Sequence, residues 1–296
     1  MSDHKATKTV LLPQYINSPL VTERFLDAIH DPIGEIEISA KYSGLKVIEK
    51  AEYELDGLNY FTQNKAMLQA AFDEECVKEI GRNKTQEYYN VISNIWYSSK
   101  SIRTGELGYP LLRSIENYFT EFKRIPKENI LVRNQPDFGT TNVLFEPETL
   151  DKIFRLNNRM VNWALSEWIK NCSKGEAFAT DDIYLRRGIT LDGIMDDEIF
   201  KEQNYVNSYT LSLTVTEQFC QLPGTKPSIM NLPYNNSLSR ILFFSPFILN
   251  QNLQLAQQNY EQLEFGIVPP FSEIRMHLQD EHDIVAEYML EYSTPF

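Results

Sequence analysis

The chain has four histidines, His4, His30, His277 and His282. Only the run His277-Leu278-Gln279-Asp280-Glu281-His282 gathers imidazoles and carboxylates in one place. Such groups are the raw material of a zinc centre or of a general acid–base pair. The spacing works against both. Zinc-binding helices place two histidines four residues apart, on one face. Five residues apart, the rings diverge by about 140° on a helix of 3.6 residues per turn, and in a strand they fall on opposite faces. The run therefore reads as a polar surface turn ahead of a last strand. If a catalytic site is nonetheless assembled from distant residues, its candidates are His277, Glu281 and His282 with Asp196 or Asp197.

Other chemical signatures fail on a specific spacing. Asp192-Gly193-Ile194-Met195-Asp196-Asp197-Glu198 is acidic, but its glycine comes second and apolar residues occupy ligand positions of a calcium loop. Pro136-Asp137 lacks the Glu-x-Lys that a magnesium nuclease needs after it, since Glu121-Phe122-Lys123 precedes it. Gly224-Thr225-Lys226 has no upstream glycine and runs into Pro227, while Gly105 and Gly108 stand alone, so neither a P-loop nor a Rossmann fingerprint is present. No GxSxG elbow occurs. Cys76, Cys172 and Cys220 are odd in number and widely spaced, which argues against a disulfide framework and for small buried thiols. Arg186-Arg187 suits an anion or, as the favoured reading, pairs with the acidic segment 192–198. Tyr88-Tyr89, Trp96-Tyr97 and Phe243-Phe244 read as core aromatics. On these grounds no catalytic, cofactor-binding or metal-binding residue is assigned, and no cofactor is expected.

Composition narrows the partners. Forty-one acidic residues against 28 basic ones leave a net charge of −13. Nucleic-acid affinity comes from lysines and arginines that neutralise phosphates. The basic spots here, Lys5/Lys8, Lys123/Arg124/Lys127 and Arg186/Arg187, are short, so direct nucleic-acid binding is not expected. No apolar run reaches membrane-spanning length. The apolar stretch Thr9-Val10-Leu11-Leu12-Pro13 is too short for a signal peptide. A soluble, cytoplasmically made protein is expected, with protein partners.

These residues must be carried by elements, and the pattern predicts an α+β fold. A helix-rich first half (1–135, with a small sheet at 33–55) precedes a mainly antiparallel sheet with a packed helix (136–296). Helices are predicted over 62–80, from Thr85, after Tyr109-Pro110, over 147–169 and over 250–262. The clearest is 147–169: Pro147 suits a first turn, Glu146, Glu148 and Asp151 suit the positive end of the helix dipole, and Leu150, Ile153, Val161, Ala164, Leu165 and Trp168 form one apolar face. Strands are predicted at 129–133, 141–145, 183–191, 208–219, 241–248 and 284–292. Arg186-Arg187-Gly188 is expected to interrupt the strand 183–191 as a bulge or an edge. The strand 208–219 alternates best, with Tyr209, Leu211, Leu213 and Val215 opposite Thr210, Ser212, Thr214 and Thr216. Residues 222–236, rich in proline and asparagine, read as a long connecting arm.

The order helix 148–169, strand 183–191, acidic turn and alternating strand 208–219 resembles the core of tail tube and tail-terminator proteins of contractile-tailed bacteriophages. The resemblance covers residues 147–222 and implies a sheet whose long strands assemble into a ring. It leads to the expectation of a non-enzymatic structural subunit of a phage or virus particle, of tail, neck or baseplate type. Such a subunit would form a homo-oligomer through sheet edges and arms, and would end in the virion. Two alternatives stand beside it: an acidic interaction or inhibitor protein that binds a basic partner, and an enzyme of unrecognised family.

Overall fold

A computed structural model describes residues 56–93, 108–171, 183–212, 215–216, 226–249, 263–281 and 285–292. The strands expected at 33–55 and the helix expected at 250–262 lie outside them, as do Trp96-Tyr97, Cys172 and Cys220. The fold is α+β. Its helices are α1 (Lys65–Ile80), α2 (Arg82–Val91), α3 (Tyr109–Asn117) and α4 (Pro147–Asn171). Its strands are β1 (Tyr184–Leu191), β2 (Glu198–Ile199), β3 (Asn207–Thr210), β4 (Lys226–Pro233), β5 (Ile241–Phe244), β6 (Glu264–Ile267), β7 (Ile274–Glu281) and β8 (Ala286–Tyr292). They form one eight-stranded sheet in the order β2-β7-β8-β4-β1-β3-β6-β5. Only β4 and β8 pair in parallel; the other neighbours are antiparallel.

Helix α4 forms where the sequence places it. Pro147 opens it, Glu148 lies in its first turn, and Leu150, Ile153, Val161, Ala164, Leu165 and Trp168 are buried. That face covers β5 and α1. Aromatic rings fill the contact: Phe244 stacks on Phe265 at 4.2 Å and meets Phe61 edge-on at 5.3 Å, while Phe72 stacks on Phe247 at 4.9 Å. Such pairs add to the burial of their large areas. Polar groups are built into this layer as well. The Asn157 amide, fully buried, donates to the carbonyls of Leu242 (2.8 Å) and Ile153 (3.0 Å) and so ties α4 to β5.

Four expectations are corrected. First, the alternating strand 208–219 stops at Thr210. The hydroxyls of its polar face take over the backbone: the Ser212 N–H donates to Thr210 Oγ1, the Val215 N–H to Ser212 Oγ, and the Thr216 N–H closes a helical turn on the Ser212 carbonyl. Second, the 222–236 arm contains β4, a central strand whose residues Ser228, Ile229, Met230, Asn231 and Leu232 are buried. Its prolines, Pro227 and Pro233, lie near its two ends, and proline there reads as loop. Third, Arg186-Arg187-Gly188 does not interrupt β1, which pairs with β4 without a break from Tyr184 to Leu191. Fourth, the His277 run is no turn. Its residues 277–281 lie on β7, with an irregularity between Leu278 and Asp280.

Residues 129–133 and 141–145 form no named strand; Val132 makes an isolated parallel bridge to Glu202. Thr85 does not cap α2 but sits inside it, its hydroxyl bonded to the Gly81 carbonyl at 2.9 Å. Among the described residues no helix is long and apolar enough to cross a membrane.

Candidate active site

β1 is the strand on which the two halves of the sheet turn. It pairs with β4 over eight residues but with β3 at one pair only, Arg186 opposite Thr210. On the far side of β3, Thr210 faces Glu264 and Ser208 faces Gly266 of β6. Opposed residues in an antiparallel ladder share a face. Arg186, Thr210 and Glu264 thus form a row across three adjacent strands, and Ser208, two residues before Thr210, lies on the same face.

Beyond the single β1–β3 pair the strands part, and a cleft of about 670 Å³ occupies the gap. Arg186, Gly188 and Thr190 border it, and so do Arg187 and Ile189, which alternate to the other side of the strand. A gap between strands, unlike a hollow on one face, reaches both sets. Volumes of this order suit a small-molecule ligand.

At the cleft, Glu264 is only 7% exposed. The Ser208 hydroxyl donates to its Oε1, and its own backbone N–H donates to Ser245 Oγ at 2.8 Å. A carboxylate sunk this far needs partners to stay charged, and the serine also fixes which way the group points. Arg186 lies across the row, one guanidinium nitrogen donating to the Leu211 carbonyl at 3.2 Å. Arg133, Lys201 and Arg187 join it around the cleft, so among the described residues the lining carries four cations, of which Arg187 is paired with Glu202, against the carboxylate of Glu264. In a chain of net charge −13 this is a local reversal of sign. A lining of this kind would attract an anionic ligand.

Behind the row lies a second polar group. Glu202, 1% exposed, accepts from Arg187 Nη1 at 2.8 Å and from the Tyr209 hydroxyl at 2.7 Å. Burial, with the adjacent Glu202 carboxylate adding to it, pushes the Tyr209 phenol well above its ordinary range. Tyr209 is therefore a hydrogen-bond donor throughout the neutral range.

The residues singled out earlier gather elsewhere. His277 Nδ1 lies 4.0 Å from Asp197 and Nε2 3.7 Å from Glu291, on the outer strands. Arg275 holds the same Asp197 carboxylate at 3.1 Å, and Asp196 caps the Leu278 N–H at 2.9 Å. The Asp197 and Glu291 side chains are 67% and 63% exposed, so this is a solvated ion cluster at the β2 edge, not a catalytic pocket. None of these residues borders the cleft. Among the described residues no group of three or more His, Cys, Asp or Glu is placed to hold a metal ion. His282 lies outside the described residues.

The pairing expected between Arg186-Arg187 and segment 192–198 is corrected too. Arg187 pairs with Glu202, and Asp197 with Arg275. Glu264, Ser208 and Glu202 went unnoticed in the sequence. The one trace of Glu264 is a lone charge inside the apolar run Leu263-Glu264-Phe265-Gly266-Ile267-Val268.

No protein-family model matches the chain, and no curated protein matches it. Two solved structures are similar. One is the ADP-ribosyltransferase Vis in complex with the inhibitor M6, with 12% identity over 91% of this chain and 90% of that one, at a TM-score of 0.38. The other is Vis toxin, an ADP-ribosyltransferase from Vibrio splendidus, with 9% identity over 78% of this chain and 86% of that one, at a TM-score of 0.30.

The resemblance to phage tail proteins is accordingly withdrawn. The similar structures are enzymes, not virion components, and the long ring-forming strand on which it rested is four residues long. The expectations of a non-enzymatic subunit, of assembly as a tail component and of a virion location fall with it.

Proposed function

We propose that the chain is an enzyme that works in the cleft between β1 and β3, and that the group it transfers is ADP-ribose. The observation that carries the reading is the row Arg186–Thr210–Glu264, with Ser208 holding the carboxylate. The chemistry of the row fits a donor such as NAD⁺, in which a diphosphate links adenosine to a ribose bearing a pyridinium leaving group.

Arg186, with Arg133 and Lys201 at the rim, meets the diphosphate, for which planar guanidinium groups are well suited. The carboxylate of Glu264 faces the ribose. As the bond from the anomeric carbon to nicotinamide breaks, nicotinamide leaves with the bonding pair and positive charge grows on the sugar. A fixed, poorly hydrated carboxylate stabilises that charge where it develops. An acceptor nucleophile then bonds to the anomeric carbon and loses its proton.

The test is nicotinamide release from NAD⁺ by the full chain. Replacing Glu264 with Gln keeps the shape and removes the charge. The rate should fall by about 10²–10³-fold, with the far-ultraviolet circular dichroism unchanged. A Glu264→Gln protein as fast as the parent, or a parent that releases no nicotinamide with any acceptor mixture, would overturn the reading.

A further inference from the structure

The seam between β1 and β3 sets the distance from Arg186 to Glu264, because the cation lies on one side of it and the carboxylate on the other. Yet one ladder pair spans the seam, against eight between β1 and β4 and four between β3 and β6. Strands joined at one pair are free to twist about it. A catalytic row must be held within a fraction of an ångström, so something else has to fix the angle.

Glu202 has the required geometry. It belongs to neither strand, but each of its carboxylate oxygens is bonded to one of them. Oε2 accepts from Arg187 of β1 at 2.8 Å and Oε1 from Tyr209 of β3 at 2.7 Å. These two residues are the immediate neighbours of Arg186 and Thr210, the pair at the seam. The Arg187 guanidinium also lies over the Tyr209 ring, 5.8 Å from its centre. The carboxylate is itself anchored: the Glu202 N–H donates to the Leu131 carbonyl at 2.9 Å, and its carbonyl accepts from the Arg133 N–H at 2.8 Å. A buried ion pair of this kind adds little net stability over an apolar replacement. Its distinctive contribution is register.

We infer that Glu202 is a positioning residue, a staple across the seam that holds Arg186 and Glu264 at their working separation. The inference rests on the cleft being the catalytic site. Tyr209→Phe removes the arm to β3 and leaves the Arg187–Glu202 pair intact, so the protein retains its buried charge balance. Glu202→Gln is the second variant, keeping an acceptor for Tyr209 while losing the charge. In Tyr209→Phe, kcat for nicotinamide release should fall at least about tenfold through misalignment, with KM for NAD⁺ within twofold, because Arg186 itself is untouched. Backbone amide exchange should quicken at 184–188 and 207–210 and stay unchanged at 274–281.

Unchanged kcat with unchanged exchange overturns the inference. So does a joint fall in kcat and rise in KM accompanied by faster exchange throughout, which would make Tyr209 a general stability residue. If the parent protein has no turnover, the functional reading fails. The staple is then judged on exchange alone: acceleration confined to the seam upholds it, and no acceleration there overturns it.

Discussion

Gly266 faces Ser208 across β3 and β6, and on its other side it faces Phe243 of β5. A methyl group at this position would stand 2.0 Å from Phe243 Cε1, 2.4 Å from Cδ1 and 2.8 Å from Cζ. Carbon atoms rest comfortably at about 3.5–4.0 Å, so the ring would have to retreat by roughly 1.5 Å. It has little room to do so, because Phe243 is fully buried. Gly266→Ala should therefore cost about 3 kcal/mol, the upper end of ordinary overpacking. For a chain of this size each kcal/mol lowers the melting temperature by about 2–4 °C, giving a fall of about 6–12 °C. The same strain pushes on the strand pair that holds Ser208 against Glu264, so nicotinamide release should drop well below the temperature of unfolding. The control is Gly193→Ala, where an added methyl meets nothing within 4 Å and the change should stay within about 0.5 kcal/mol. Thermal and urea unfolding followed by circular dichroism measure both. A Gly266→Ala protein that melts within a degree of the parent would refute the close approach of β5 and β6 and the tight row built on it.

Other outcomes follow from the same structure. Asn157→Ala removes the buried donor that serves the Leu242 and Ile153 carbonyls and should lower unfolding stability by about 1–3 kcal/mol in a denaturant titration; an unchanged midpoint would contradict its role. Burial raises the Cys76 thiol from 9.0 to about 11, so Cys76 should resist alkylation by iodoacetamide at pH 8 until the protein unfolds, and rapid labelling of Cys76 itself, located by peptide mapping of the native chain, would count against the packing of α1 on α2. The same shift has a sign for stability. Between those two values the unfolded chain releases a proton that the folded chain keeps, so stability is full below pH 9 and declines as pH rises toward 11. The raised phenols of Tyr88 and Tyr209 extend the decline beyond pH 10, and a denaturation midpoint that holds or rises from pH 8.5 to 10.5 would be inconsistent with both. Lys201→Ala and Arg133→Ala, at the exposed rim, should raise KM for NAD⁺ more than they lower kcat and should flatten its salt dependence; a pure kcat effect would place the diphosphate elsewhere.

Helix α4 was legible because local and tertiary signals agree along it. Pro147, the acidic first turn and the spacing from Leu150 to Trp168 all specify one buried face. β4 was illegible for the opposite reason. Pro227, Asn231 and Pro233 are turn formers by local preference, and only pairing on both sides, with β1 and β8, makes them a strand. The strand 208–219 failed on a chemical point: serine and threonine hydroxyls that look like a solvent face satisfied backbone N–H groups instead, and turned the chain at Ser212. The α+β class survived these errors because it depends on the balance of elements and not on their ends.

The cleft was hidden more deeply. Its row comes from residues 186, 208, 210 and 264, brought together by strand order, and no fixed spacing in the chain encodes that order. Arg186-Arg187 did register as an anion candidate, but the acidic segment nearby offered a nearer partner for them. The partner of Arg187, Glu202, lay in a stretch read only as polar connection. Charge balance over the whole chain also misled, since −13 overall conceals a cleft lined by four cations.

The most direct measurement is the location of a bound donor. Crystals of the Glu264→Gln protein grown with NAD⁺ should hold it uncleaved between β1 and β3, its diphosphate against Arg186 and the anomeric carbon of its nicotinamide ribose facing residue 264. Density for the dinucleotide anywhere else, or a cleft that stays empty at saturating NAD⁺, would contradict the assignment of this cleft as the site of ADP-ribosyl transfer.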